Sequence, residues 1–161
     1  MADLRRLLER SGAEDVETYV QSGNAVFESA AAADELEQRI AAALAAELGL
    51  TVHVLVRSAA ELAQIVRANP FAPEEPDPRK LHVTFLAEAP DAERIAALPP
   101  GDGPDRLNVA GREIYLHTPD GYGRSKLSNA FFERKLAVVG TTRNWRTVTA
   151  LAELAATRQA T

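Results

Sequence analysis

Apolar residues recur along the N-terminal third of the chain at two different spacings. In Ala2–Arg10 and Asp34–Leu48, leucine and isoleucine return every three or four residues, which is the spacing of one helix face. Between these segments, Val16–Val20 and Asn24–Glu28 alternate apolar with polar residues around Gln21-Ser22-Gly23, a sequence suited to a tight turn. This region therefore predicts two helices that flank a β-hairpin.

The rest of the chain continues as short strands and helices. Strands are predicted at Thr51–Val56, Leu81–Leu86, Leu107–Val109 and Glu113–His117, and helices at Ser58–Ala68, Pro90–Leu98, Lys126–Ala137 and Arg143–Ala156. The first half then lacks only a leading strand of the split β-α-β arrangement, and the second half repeats its order. The pattern predicts an α+β fold with two ferredoxin-like halves of βαββα type, an antiparallel or mixed sheet and two C-terminal helices.

The same pattern suggests how the chain is organised. A length of 161 residues fits one domain or two small intertwined halves. We assign residues 1–57 to the first half and residues 58–79 to a helix with a Pro-rich loop. Residues 80–157 form the second half with its C-terminal helices.

Composition excludes several classes of chemistry. The chain has no cysteine, which rules out disulfides, thiolate metal ligands and a cysteine nucleophile. The N-terminus is charged and helical rather than apolar, and no apolar segment is long enough to span a bilayer. We therefore expect a cytoplasmic protein with no membrane association.

Positive charge is concentrated near the C-terminus of an otherwise acidic chain. Residues 124–146 hold six Arg or Lys and one acidic residue, whereas residues 1–123 hold eleven basic and twenty-one acidic residues. A local reversal of charge favours a surface for an anion, a nucleic acid or an acidic partner. The sequence pI of about 5.3 argues against broad nucleic-acid binding and favours a nucleotide or another small anion.

The predicted helix Lys126–Ala137 supplies the first candidate residues. At helical spacing, Lys126, Asn129 and Glu133 share a polar strip. Lys126 and Asn129 are candidate ligand contacts, and Glu133 is a candidate either to orient them or to act as a general base. The alternative is an ordinary solvated face, in which these side chains only interact with their neighbours.

The start of the last predicted helix supplies the others. Thr141 or Thr142 is a candidate N-cap, and the free N–H groups behind such a cap attract anions. Arg143 and Arg146 would add guanidinium groups suited to phosphate or carboxylate. The alternative is a capped helix whose arginines pair with acidic neighbours.

Other polar residues carry weaker signals. His53, His82 and His117 fall within predicted strands without metal-ligand spacing, so we interpret them as strand residues and expect no metal site. Ser22 lacks the sequence context of a nucleophile. No pattern identifies a cofactor, which leaves that question open.

Three passages resemble the bacterial family catalogued as domain of unknown function 1697. They are MADLRRLLERSGAEDVETYVQSGNAVFES at the start, YGRSKLSNAFFERKL, and TTRNWRTVTALAEL near the end. The resemblance implies an α+β fold with ferredoxin-like halves and implies little about activity. Members of that family typically begin earlier, with a strand and an Arg-Gly-Ile-Asn loop, so we expect that this chain lacks the family's first strand.

Three hypotheses follow for function. The leading one is a binding protein for a phosphate-bearing or otherwise anionic small ligand, held by the basic segment 122–146. A second is an interaction or oligomerisation module, in which the basic strip meets an acidic surface. A third is a transferase or hydrolase with Glu133 as general base and Lys126 as electrostatic stabiliser.

Overall fold

The computed structural model describes residues 2–19, 23–99 and 103–159, and the chain divides into two compact units. Unit 1 comprises residues 1–64 and 150–161, and unit 2 comprises residues 65–149. The helices are α1 Ala2–Arg10, α2 Ala33–Leu48, α3 Ala59–Arg67, α4 Ala92–Ala96, α5 Asn129–Leu136 and α6 Trp145–Gln159. The strands are β1 Glu14–Tyr19, β2 Asn24–Glu28, β3 Leu81–Leu86, β4 Arg106–Ala110, β5 Glu113–His117 and β6 Gly140–Asn144.

Unit 1 is built around the predicted hairpin and its two flanking helices. Strands β1 and β2 pair antiparallel, and α2 ends at Gly49 in the left-handed conformation, with φ of 65°. The apolar faces of the two helices and Ala13, which lies just before β1, form one buried cluster; its helical members are Leu7, Leu8, Leu36, Ile40 and Leu44. The helices and the hairpin are therefore confirmed, while Val20, Gln21 and Ser22 lie outside the described residues.

The strand predicted at Thr51–Val56 is wrong, because this segment pairs with no strand among the described residues. Val54 and Val56 pack against the unit 1 cluster, whereas Val52 keeps 47% of its surface exposed. The backbone N–H of Val56 donates to the Glu37 carboxylate at 2.8 Å. Alternating valines satisfy the side-chain requirement of a strand, but a strand also needs a neighbour that completes its ladder.

In unit 2, each strand has the neighbouring strand that Thr51–Val56 lacks among the described residues. The elements of unit 2 follow the order β3-α4-β4-β5-α5-β6, and the sheet order is β4-β5-β3-β6 with every pair antiparallel. This is the complete split β-α-β arrangement, in which the first strand pairs with the last. The predicted α+β class with two ferredoxin-like halves and two C-terminal helices is confirmed.

The two faces of the unit 2 sheet are covered by different elements. On one face, Leu86, Ile114 and Leu116 pack with Phe132 and Leu136 of α5 in a buried cluster. The other face carries Leu81, Val83 and Tyr115, all of which are buried. The Tyr115 hydroxyl donates to the backbone oxygen of Ile65 in α3 at 2.8 Å.

No helix in the described parts of the chain combines the length and the apolar character that crossing a bilayer requires.

Candidate functional site

The segment expected to open the last helix is an edge strand instead. Thr141 and Thr142 lie in β6, where they pair with Phe85 and Thr84 of β3. The cap of α6 is Asn144, whose side-chain oxygen accepts a hydrogen bond from the backbone N–H of Thr147 at 2.8 Å. The prediction that Thr141 or Thr142 caps this helix is therefore wrong, because their backbone groups belong to the sheet.

Strand geometry also separates the predicted ligand residues. Side chains alternate between the two faces of a sheet, so Thr142 lies on the α5 face with Thr84, and Thr141 and Arg143 lie on the opposite face. The hydroxyls of Thr142 and Thr84 are 2.7 Å apart. Arg143 donates to the Thr141 hydroxyl at 2.7 Å, and burial lowers the pKa of its guanidinium. These residues do not converge on one site.

Two residues of the polar strip expected on α5 form hydrogen bonds with the backbone of β6. The amide of Asn129 donates to the backbone oxygen of Gly140 at 2.9 Å, and the carboxylate of Glu133 accepts from the backbone N–H of Gly140 at 3.1 Å. Lys126 precedes the helix, since the cap is Ser128, and its side chain is exposed. Asn129 and Glu133 therefore have a structural role at the start of the strand.

A cleft opens in unit 2 where the α5 face of the sheet reaches the first residues of β3 and the last of β6. It encloses about 260 Å³. Its lining residues come from three elements and their connections: Pro78, Arg79, His82, Tyr122, Asn144 and Arg146. None of the six is acidic. Of the residues predicted to bind a ligand, the cleft contains Arg146.

Arg146 and Asn144 bring the start of α6 to this cleft. Because the side-chain oxygen of Asn144 caps the helix, its amide nitrogen remains as a donor. The Arg146 guanidinium makes no hydrogen bond or ion pair with any of the described residues. Both residues therefore offer donors at the positive end of a helix dipole.

Arg79 enters from the Pro-rich loop and is held by its neighbour. It donates to both carboxylate oxygens of Asp77, at 3.1 Å from Nε and 2.9 Å from Nη2. Hydrogen bonds from Arg79 lower the pKa of Asp77 to about 2, so this carboxylate stays ionised. The Arg79 side chain remains 82% exposed, which leaves its other N–H groups to solvent or a ligand.

The His82 ring lies in this cleft beside the Tyr122 ring. Their centroids are 4.2 Å apart with an interplanar angle of 23°, which is a stacked arrangement. Burial lowers the pKa of His82 to about 4, so the imidazole is neutral at physiological pH. Its Nδ1 is buried without a hydrogen-bond partner, and a buried N–H is costlier to leave unpaired than a lone pair. We therefore assign the ring proton to Nε2, so that this lining residue carries a neutral donor.

Sequence reasoning found only part of this cleft. His82 was expected to be an ordinary strand residue, and it is part of β3, but its partner Tyr122 arrives from a turn forty residues later. The Pro-rich loop gave no sign that Pro78 and Arg79 would approach the last helix. Of the six lining residues, Arg146 was predicted as a ligand contact, and Tyr122 and Asn144 fall within the basic segment 122–146 that was expected to form the site.

A second polar cluster in unit 2 ties the Pro-rich loop to β5. His117 bonds Glu75 through Nε2 at 2.9 Å and Arg106 through Nδ1 at 3.0 Å. The hydrogen bond from His117 is the main reason that the pKa of Glu75 is lowered. His117 is thus bonded to both of the other side chains, and Arg106 also donates to Glu74 at 3.3 Å. In the described residues, no group of three His, Asp or Glu side chains is arranged to hold a metal ion.

The fold and the cleft define an α+β protein with two ferredoxin-like halves and a donor-lined site in the second half. The chain belongs to the family described as protein of unknown function DUF1697, whose model matches residues 1–115. That span includes Pro78, Arg79 and His82 of the cleft, while the other three lining residues follow it.

The chain is similar over nearly its whole length to a solved bacterial structure. That structure is of the conserved bacterial protein SP0830 from Streptococcus pneumoniae, with a TM-score of 0.73 and 21% sequence identity. The similarity covers 96% of this chain and 88% of that chain, and at this identity it shows the fold alone. No curated protein matches the sequence.

Proposed function

We propose that the unit 2 cleft binds a small anionic ligand, with a phosphate-bearing metabolite as the favoured class. The observation that supports this most strongly is the chemistry of the lining. Arg146 carries a charge that no described carboxylate neutralises, and Asn144 and His82 add neutral donors. A cluster of donors without a lining acid stabilises an anion and repels a cation.

The size of the cleft separates a small ligand from a polymer. Its volume of about 260 Å³ lies just below the range of roughly 300–1,000 Å³ that is typical of small-molecule sites. A nucleic acid would instead require a long basic surface, and unit 2 has twelve basic and eleven acidic residues. The site therefore suits one anionic group with a small attached body.

The direct test is calorimetric titration with inorganic phosphate and with ribose 5-phosphate at low and moderate salt. Arg146→Gln should weaken binding by about tenfold to a hundredfold, because it removes a charge-assisted hydrogen bond to the anion. A melting curve for each variant shows that the fold is retained.

Arg134→Gln is the matched control. Arg134 is another exposed arginine of the basic segment, and it lies over the Phe131 ring, outside the cleft. The Arg134→Gln variant should bind inorganic phosphate and ribose 5-phosphate with the affinities of the wild type. Equal weakening in the two variants would mean that net charge alone attracts the anion. No binding by folded wild-type protein would refute the proposal.

A further inference from the structure

The cleft contains an aromatic surface that an anion alone would not use. The Tyr122 ring is supported by His82 at 4.2 Å and packs against the buried cluster of unit 2. A side chain supported in this way loses little conformational entropy when a ligand covers it. The Tyr122 ring, which stays partly exposed, is therefore held in place where it lines the cleft.

The polar and flat surfaces belong to different lining residues. Arg146 and Asn144 provide the donors at the start of α6, whereas Tyr122 and the Pro78 ring provide apolar area. A phosphate bonded to the donors would leave much of the 260 Å³ unfilled. Tyr122 and Pro78 line the same cleft as these donors.

We infer that the cleft takes a phosphate monoester that carries a planar ring, of the nucleoside monophosphate class. The phosphate would be held by Arg146 and Asn144, and the ring would lie against Tyr122. Stacking on an aromatic side chain tolerates any base, because every base has a π-face. This inference rests on the proposed function, since it requires the anion site.

The two parts of the ligand can be tested separately. We would measure dissociation constants for adenosine 5′-monophosphate and ribose 5-phosphate, which share the phosphate and the sugar and differ in the base. Wild-type protein should bind the nucleotide more tightly, by about fivefold to a hundredfold. This comparison needs no variant and so does not depend on how a substitution affects folding.

Tyr122→Leu should abolish most of that preference, so that adenosine 5′-monophosphate and ribose 5-phosphate bind with similar affinities. Tyr122→Phe keeps the ring and should keep the preference. Arg146→Gln should lower the affinity for both ligands by a similar factor.

Negative results would distinguish a failure of the ring inference from a failure of the proposed function. Equal wild-type affinities for the two ligands would overturn the ring inference and leave the anion site standing. A preference that survives Tyr122→Leu would overturn the role of Tyr122. If neither ligand binds folded wild-type protein, the proposed function and the inference both fail.

Discussion

His82 shows how one side chain can serve both the sheet and a site. Its position in β3 is set by pairing with Leu116 on one side and Asn144 on the other. The ring then meets Tyr122 and loses contact with water at Nδ1. Burial disfavours the charged form, which is why the pKa falls from 6.5 to about 4.

This pKa makes stability depend on pH in a defined direction. Below pH 6.5 the unfolded chain binds a proton at His82, while the folded protein does so only near pH 4. The free energy of unfolding should therefore fall as the pH drops from 6.5 to about 4. The stabilisation that comes from keeping His82 neutral should be fully present above pH 6.5. His82→Phe keeps an aromatic partner for Tyr122 and cannot be protonated.

Urea unfolding at about pH 7 and about pH 5 tests this linkage. The decrease in the free energy of unfolding should be smaller in His82→Phe than in the wild type. The same decrease in both proteins would show that the ring is not kept neutral by the fold.

At the scale of elements, the turn before Tyr122 determines where the ring lies. Gly121 has φ of +101°, a conformation that other residues adopt only with strain. A Cβ atom at this position would meet nothing within 4 Å, so the cost of Gly121→Ala comes from the backbone alone. We expect a loss of about 1–2 kcal/mol in the free energy of unfolding.

Gly123→Ala is the control within the same turn. Its φ is not in the left-handed region, and an added Cβ would also meet nothing within 4 Å. Chemical unfolding of both variants tests this difference. The free energy of unfolding should change by less than about 0.5 kcal/mol in Gly123→Ala. Equal losses would contradict the assignment of strain to Gly121.

Elements with strong side-chain periodicity could be predicted from the sequence, and those that depend on a distant partner could not. The α2 helix and the β1–β2 hairpin lie where the pattern put them, because their hydrogen bonds are local. The segment Gly140–Asn144 shows little apolar alternation, yet it is a strand because β3 and Asn129 hold it. Thr51–Val56 has the alternation and lacks the partner.

The candidate site was less predictable for the same reason. A basic segment can be recognised by counting residues, which is how Arg146 was found. Whether each cation faces a ligand depends on the strand face and on nearby acceptors. Arg143 and Arg146 are three residues apart, but Arg143 is half-buried on a sheet face and Arg146 lines the cleft.

At the scale of the whole molecule, the two units differ in charge. Unit 1 holds twelve acidic and six basic residues, whereas unit 2 holds eleven acidic and twelve basic residues. An anion approaching from solution is therefore repelled less by unit 2 than by unit 1. Under the proposed function, the excess charge of the basic segment would be one component of the site, and the cleft geometry would supply the selectivity.

The most direct test is an NMR titration of the uniformly ¹⁵N-labelled protein with adenosine 5′-monophosphate. We predict saturable shifts of amide signals at Arg79, His82, Tyr122, Asn144 and Arg146 and at their neighbours in sequence. Signals of the exposed basic residues Arg134 and Lys135 should remain unchanged. Shifts spread over α5 without saturation, or no shifts in the cleft at millimolar nucleotide, would contradict the assignment of this cleft as the ligand site.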